Sequence, residues 1–456
     1  MADSSMLGGR EKGGGGERGW LRGILLKPPV LLLLIGIIIP NLIFVSLALA
    51  GLTVPPRTLP IILYVLIAAS LRFLPPAAVA VLYFAALLFD VVYCTTQFFG
   101  LAPQEALFAL QFFGELDILN SQLYALLTVT VVASVGGILF LLLRHGRHAA
   151  GGSWSLMLLG GLILIPTDII ANAPLQAGNR FGFSLGTEPA FDSAMLNSGY
   201  QALIDAPQDR KMLVIIVEAM GRFADPAHQK LLDDALATPA LTAGYRISSG
   251  HNSFFGSTTA GEMRELCGTR RSYIELLDQD MTECTPFRLQ AQGYRTVGYH
   301  GFSPEMFQRS QWWPHIGLTD PRFGTDVHQS GQRLCGEVFV GVCDPDILSH
   351  IAADLRADGP QFVYLLTLNT HIPVPLSEAY GHLDCEGKDP IGDFGVCLMV
   401  DQWIELLRGI GAMLTEPGMP PVEVLIVGDH APPLWYRKAR DLFEQGHVSW
   451  YRLTPR

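Results

Sequence analysis

Four side chains, far apart along the chain, have the types needed to hold a metal ion against a reactive hydroxyl. Glu218 closes the apolar run Leu213-Val-Ile-Ile-Val-Glu218, and Asp429-His430 closes Val427-Gly-Asp429-His430. Between them Thr258 stands in Gly256-Ser-Thr258-Thr-Ala-Gly-Glu262. Carboxylate oxygens with one imidazole suit a divalent cation that keeps an open position. Coordination lowers the pKa of a bound oxygen by several units, so a threonine hydroxyl there becomes a nucleophile able to attack phosphorus. Either carboxylate alone reads as an ordinary strand-end polar residue. Their placement together with Thr258 and His430 is what points to a site.

The elements that must position these groups are legible as well. Short apolar runs at 212–217, 362–368 and 422–427 read as buried strands, and 345–356 and 395–414 carry helical periodicity. That alternation predicts an α/β domain with a central, largely parallel sheet. Ligands of such sheets gather beyond the carboxyl ends of the strands. Glu218, His371 and Asp429-His430 all fall just beyond a predicted strand end.

The first part of the chain is of another kind. Of 456 residues 49% are hydrophobic and 16% charged, and the mean hydropathy is +0.31. The apolar excess lies before about residue 172 and predicts a membrane protein. Five apolar segments, 30–52, 59–74, 77–99, 123–143 and 154–171, are read as transmembrane helices, the second and fifth marginal in length against the ~20 residues a bilayer needs. Arg10, Lys12, Arg18, Arg22 and Lys27 precede the first segment, Arg72 follows the second, and Arg144 and Arg147 follow the fourth. Glu105, Glu115 and Asp117 fall in the alternate loops, so the positive-inside rule puts the N-terminus in the cytoplasm and the large C-terminal domain outside. Ala48-Leu-Ala50 resembles a signal-peptidase site, but the apolar run before it is long for a signal peptide, and an uncleaved anchor is expected.

The expected organisation is a disordered cytoplasmic N-terminus (1–19), a transmembrane domain (20–172) with an interfacial helix near 101–116, a linker (173–210) and an outer α/β catalytic domain (211–456). Asp90, inside the third segment, is a costly charge at membrane depth, and pairing with a neighbouring helix is its expected role. A net charge of −11 without a basic stripe or nucleic-acid motif argues against a nucleic-acid partner. Cys94 lies in the third segment, and the other six cysteines all fall in the outer domain. Six cysteines allow fifteen pairings. Close spacing favours three local bridges, Cys267 with Cys284, Cys335 with Cys343 and Cys385 with Cys397, which an oxidising periplasm permits; buried thiols are the alternative.

The order of these pieces, together with Asn369-Thr-His371-Ile-Pro373, resembles the alkaline phosphatase/sulfatase superfamily. Within it the chain resembles the membrane-anchored, lipoteichoic acid synthase-like phosphoglycerol and phosphoethanolamine transferases. The resemblance implies a sulfatase-like domain, Glu218, Thr258, Asp429 and His430 as ligands of one divalent ion, and Thr258 as nucleophile. It implies substrate-binding roles for His371, for His300 in Tyr299-His300-Gly, for Arg309 in Phe307-Gln-Arg309, and for Trp312. Thr258-Thr-Ala-Gly-Glu262 departs from the Cys/Ser-x-Pro-x-Arg motif of true sulfatases, which removes sulfate esters as the expected substrate. No second metal site of the alkaline phosphatase kind assembles, and His447 is a stray candidate for one.

The expected activity is transfer of phosphoglycerol from phosphatidylglycerol, a phospholipid donor in the membrane, to a glycan or lipid acceptor. A covalent phospho-threonine intermediate carries the group, and the setting is a bacterial inner membrane, with a polysaccharide or envelope biosynthesis complex as a partner. Phosphoethanolamine is the alternative headgroup, to which the cysteine pairs are closer. A non-catalytic membrane scaffold or glycan-binding protein is the lesser alternative. Manganese is expected as the ion, ahead of zinc or magnesium.

Overall fold

The computed structural model describes residues 25–49, 51–52, 54–99, 101, 103–117, 121–172, 190–206, 209–254, 256–329, 332–388 and 390–456. The expected disordered N-terminus, half of the expected linker and Ala50 of the cleavage-like stretch lie outside them. The chain divides into two compact units. One is drawn from Met1–Ala50, Pro56–Val91 and Leu127–Ala173, the other from Gly51–Pro55, Val92–Leu126 and Pro174–Arg456.

All five apolar segments form helices. The first runs from Pro28–Leu33 through a π turn, Leu34–Ile38, into Ile39–Leu49; the others are Thr58–Ser70, Pro76–Phe99, Gln122–Ala149 and Trp154–Asn172. The π turn sits directly before Pro40, whose missing N–H interrupts the regular ladder. Among the described residues two stretches, Pro76–Phe98 and Thr128–Ala149, are long and apolar enough to cross a membrane, and the remaining apolar helices are shorter. Asp90 takes the structural role expected of it. Arg57 donates to both its carboxylate oxygens, from Nε at 2.9 Å and from Nη2, and Tyr64 adds its hydroxyl at 2.9 Å. Arg57 Nη1 donates to Asn41 Oδ1 at 2.9 Å. Both charges are almost wholly buried, so the pairing is what makes either tolerable.

The other unit is built on a mixed sheet. Its strands are β1 (Lys211–Val217), β2 (Gly221–Phe223), β3 (Tyr245–Ser253), β4 (Arg295–His300), β5 (Asp320–Arg322), β8 (Gln361–Leu366), β9 (Val422–Gly428) and β10 (Phe443–Pro455), with β6 (Leu334–Cys335) and β7 (Gly341–Val342) forming a separate small pair. The order is β2-β10-β9-β1-β8-β4-β5, with β3 also paired to β10. From β9 to β5 the strands are parallel, while β10 runs antiparallel to its neighbours. The predicted parallel core is therefore present, extended by an antiparallel flank.

Alternate residues of β1 serve opposite cores. Leu213, Ile215 and Val217 pack with helices Asp344–Arg356 and Phe394–Leu414, and Met212, Val214 and Ile216 pack with helix Thr258–Cys267 and Trp313. Burial on both faces is why these strands read as unbroken apolar runs. Within the stretch read as linker, helices Ala194–Asn197 and Gln201–Asp205 place Met195, Tyr200 and Ile204 in the second of these cores. The cysteines pair locally: Cys267–Cys284, Cys335–Cys343 and Cys385–Cys397 are disulfide-bonded.

Candidate active site

Parallel register brings the carboxylates together. Val217 of β1 pairs with Gly428 of β9, so the next residue on each strand is Glu218 and Asp429. A Cβ on Gly428 would lie 2.0 Å from the Met220 carbonyl oxygen, so only glycine lets the two strand ends approach this closely. Between them Ala219 takes a left-handed φ of 58° and donates its N–H to Asp429 Oδ1 at 2.7 Å. Backbone strain of this kind persists only where surrounding structure enforces it. Three groups hold the residue before Ala219: the Glu218 N–H donates to Thr367 Oγ1 at 2.9 Å, and the Glu218 carbonyl accepts from Thr370 Oγ1 at 2.5 Å and Trp403 Nε1 at 3.3 Å.

Thr258 reaches the same point from across the sheet as the first residue of a ten-residue helix capped by Ser257. Its Oγ1 lies 3.3 Å from Glu218 Oε2 and 3.4 Å from His430 Nε2. Gly261 meets the Asp429 backbone, where a Cβ would lie 3.0 Å from the carbonyl oxygen. Further along the helix Arg264 donates to the carbonyls of Asp429 (3.0 Å) and Gly428 (2.8 Å), and its charge is balanced by Glu265 at 2.5 Å. The helix that begins at Thr258 is thus fastened to the strand end that carries two candidate ligands. The helix N-terminus also places partial positive charge beside the Thr258 hydroxyl.

Glu218, Asp429 and His430 each offer a ligand atom, all within 4.8 Å of one another. Asp429 is fully buried, and its Oδ2 makes no hydrogen bond, with His430 Nε2 3.3 Å away. Such an atom is costly unless something cationic faces it, and a divalent ion fits that need. Burial and the adjacent Asp429 carboxylate push Glu218 well above the ordinary carboxylate range, the response of two anions crowded without a counter-charge. His430 Nδ1 lies 3.0 Å from the Ala431 carbonyl. A carbonyl only accepts, so Nδ1 carries a hydrogen, and Nε2 faces Thr258, Glu218 and Asp429.

The other sequence-predicted residues divide. His371, half-buried, donates Nδ1–H to the Ile372 carbonyl at 3.1 Å, and buried His300 donates to the Leu366 carbonyl at 3.1 Å. Burial holds both imidazoles neutral, with pKa values of about 4 and about 3. Each therefore presents Nε2 as an acceptor. Arg309 is buried and its fork is committed to Glu262, with Nε at 3.0 Å and Nη2 at 2.9 Å from Oε2. Trp313 Nε1 and Tyr364 OH complete the Glu262 shell at 3.0 and 3.1 Å. Arg309 acts on the site through its charge, which lowers His300 and opposes the rise of Glu218. Trp312 is a core residue: it is wholly buried, and its indole N–H donates to the Phe307 carbonyl at 3.1 Å.

His447 lies on β10 beside Ser253 and His251, outside the ligand group. Sequence reasoning passed over Arg264, Thr367, Thr370 and Trp403. The two threonines flank Leu-Asn in Thr367-Leu-Asn-Thr370, immediately before His371, which was the available signal.

No protein-family model matches the chain, and no curated protein matches its sequence. Among solved structures it is similar to the lipoteichoic acid synthase LtaP from Listeria monocytogenes, at 13% identity and a TM-score of 0.40, over 54% of this chain and 65% of that one. It is also similar to the phosphoglycerol transferase GacH of Streptococcus pyogenes, in complex with sn-glycerol-1-phosphate, at 15% identity and a TM-score of 0.40, over 57% and 74%. A third is the C-terminal periplasmic domain of EcEptC from Escherichia coli in complex with Zn, at 12% identity and a TM-score of 0.35, over 54% and 73%. The match spans less than two thirds of the LtaP structure. Similarities of this size assign no chemistry to Thr258 or its neighbours.

Proposed function

We propose that the protein is a metal-dependent phosphotransferase of the outer membrane face, with Thr258 as its covalent nucleophile. The observation that carries this reading is the convergence of Glu218 and His430 on Thr258 Oγ1, at 3.3 and 3.4 Å, beside the buried Asp429 Oδ2, which makes no hydrogen bond and lies 3.3 Å from His430 Nε2. Glu218, Asp429, His430 and Thr258 would hold one divalent ion, manganese ahead of zinc or magnesium given mixed oxygen and single-imidazole ligation. The ion supplies positive charge that lowers the pKa of the hydroxyl and offsets charge on the phosphodiester oxygens.

Thr258 Oγ1 loses its proton and attacks phosphorus of phosphatidylglycerol in line. The bond to the diacylglycerol oxygen breaks, that oxygen takes up a proton, and diacylglycerol leaves. Phosphoglycerol stays on Oγ1 until an acceptor hydroxyl of a glycan or lipid displaces it and returns a proton to Thr258. His371 and His300, held neutral with Nε2 as acceptor, suit the hydroxyls of a glycerol headgroup. Phosphoethanolamine is the second reading, favoured by the three disulfides in the catalytic unit.

Diacylglycerol release from vesicles tests the proposal. Phosphatidylglycerol vesicles are expected to support release that Thr258→Ala lowers by at least about a thousandfold, with one divalent ion per wild-type chain by elemental analysis. Undiminished release by Thr258→Ala contradicts the mechanism. Release from phosphatidylethanolamine alone transfers the assignment to that headgroup.

A further inference from the structure

Helix Pro103–Ala109 and its continuation Leu110–Glu115 belong to the compact unit that holds the sheet, although they lie among the apolar segments in sequence. One face is packed against the catalytic unit. Phe108 meets Tyr273 edge-on at 6.4 Å, Phe112 meets Phe307 at 5.7 Å, and Ser272 Oγ donates to buried Glu105 at 2.6 Å. Beneath lie Phe302, which follows His300, and Leu368. Phe302 in turn contacts Phe339, whose ring lies 3.8 Å from that of His371. The wall of the site carrying His300 and His371 thus rests on this segment.

The opposite wall is anchored in a similar way. The loop after His430 pairs Tyr436 with Leu52, donates Arg437 N–H to the Gly51 carbonyl at 3.2 Å, and stacks Trp435 on Phe98 at 4.4 Å. Residues 51–55 and 92–126 are the only parts of the unit preceding residue 174.

The other face of the 103–115 segment is exposed: Leu107 and Leu110, 53% and 50% exposed, stand among exposed Gln104, Gln111, Gly114 and Glu115, an apolar pair with a polar rim. The chain decides what can cover them. Three residues (100–102) join the segment to Pro76–Phe99 and six (116–121) join it to Gln122–Ala149, the helices containing the two stretches long and apolar enough to cross a membrane. A segment so tied at both ends lies at the membrane surface, and a helix with one apolar face there buries it about 5–10 Å into the headgroup and acyl boundary.

We propose that Leu107 and Leu110 seat in the outer leaflet of the bilayer and hold the catalytic mouth at headgroup depth, so that a donor phospholipid reaches Thr258 without leaving the membrane. This rests on the function proposed above and adds where the donor enters. Seating at the leaflet raises the effective concentration of headgroups at the nucleophile.

The test uses the full-length protein in phosphatidylglycerol/phosphatidylcholine vesicles, comparing wild type with Leu107→Glu/Leu110→Glu. Two substrates separate the effects: the vesicle phosphatidylglycerol and the water-soluble diester bis(p-nitrophenyl) phosphate. The double variant is expected to release diacylglycerol at least fivefold more slowly, with its rate on the soluble diester within twofold of wild type. Equal rates on both substrates overturn the proposal. A second readout is independent of turnover: a spin label at Leu107→Cys, in a Cys94→Ala background, is expected to relax with dissolved oxygen rather than with an aqueous nickel chelate. The reverse preference overturns the inference even if the enzyme is active. Loss of all turnover by wild type overturns the functional reading and leaves the spin-label result to decide this one.

Discussion

At the scale of single residues, the site is a set of charges and lone pairs fixed by backbone carbonyls. His300, His371 and His430 each spend Nδ1–H on a main-chain oxygen and so point Nε2 outward. This has a consequence for acid stability. Folded His300 stays neutral down to pH about 3, while the unfolded residue takes a proton near pH 6.5. The folded pKa is the lower one, so the unfolded state binds more protons between these values and stability is lost as pH falls through that window. The cost at pH 5 is about 2 kcal/mol relative to pH 7. His300→Gln should remove it, narrowing the pH 7 to pH 5 stability difference by that amount in urea titrations. A variant with the wild-type pH dependence contradicts the neutral, buried assignment. Of the candidate ligands, Glu218 and Asp429-His430 were legible in the sequence because each closes an apolar run. The commitment of Arg309 to Glu262 and the full burial of Trp312 were not, because those partners come from other elements and leave no local pattern.

At the scale of elements, helix Thr258–Cys267 does several jobs along its length. Thr258 faces Glu218 and His430, Gly261 meets the Asp429 backbone, Glu262 receives Arg309, Arg264 clasps the Gly428 and Asp429 carbonyls, and Cys267 is tied to Cys284. Arg264→Met leaves those carbonyls without their donors and lets the ligand-bearing strand end shift. Groups that orient ligands in this way are worth about 10–100-fold in metal affinity. Calorimetric titration with manganese should show a loss of that size while circular dichroism shows the fold retained. Unchanged affinity contradicts the positioning role. β1, β8 and β9 were readable as strands because both their faces are buried. β3 was not: Ser248-Ser-Gly-His-Asn-Ser253 is polar and largely exposed, and it is a strand because β10 supplies a nine-residue antiparallel partner.

At the scale of the whole molecule, apolar helices and a mixed α/β sheet share one chain but divide into two units whose boundary does not follow sequence order. Composition revealed the two kinds of segment. It could not reveal that 51–55 and 92–126 pack with the sheet, because that assignment depends on contacts such as Phe98 with Trp435 and Glu105 with Ser272. Those contacts tie the mouth of the site to chain that continues into apolar helices, which suits a donor that is itself a lipid. The central claim is still a single covalent bond to Thr258. Its most direct test is mass spectrometry of the Thr258 peptide after brief incubation of the full-length protein with phosphatidylglycerol and no acceptor. A phosphoglycerol adduct on Thr258 that acceptor discharges is expected; an unmodified Thr258 during active diacylglycerol release rules out the covalent mechanism.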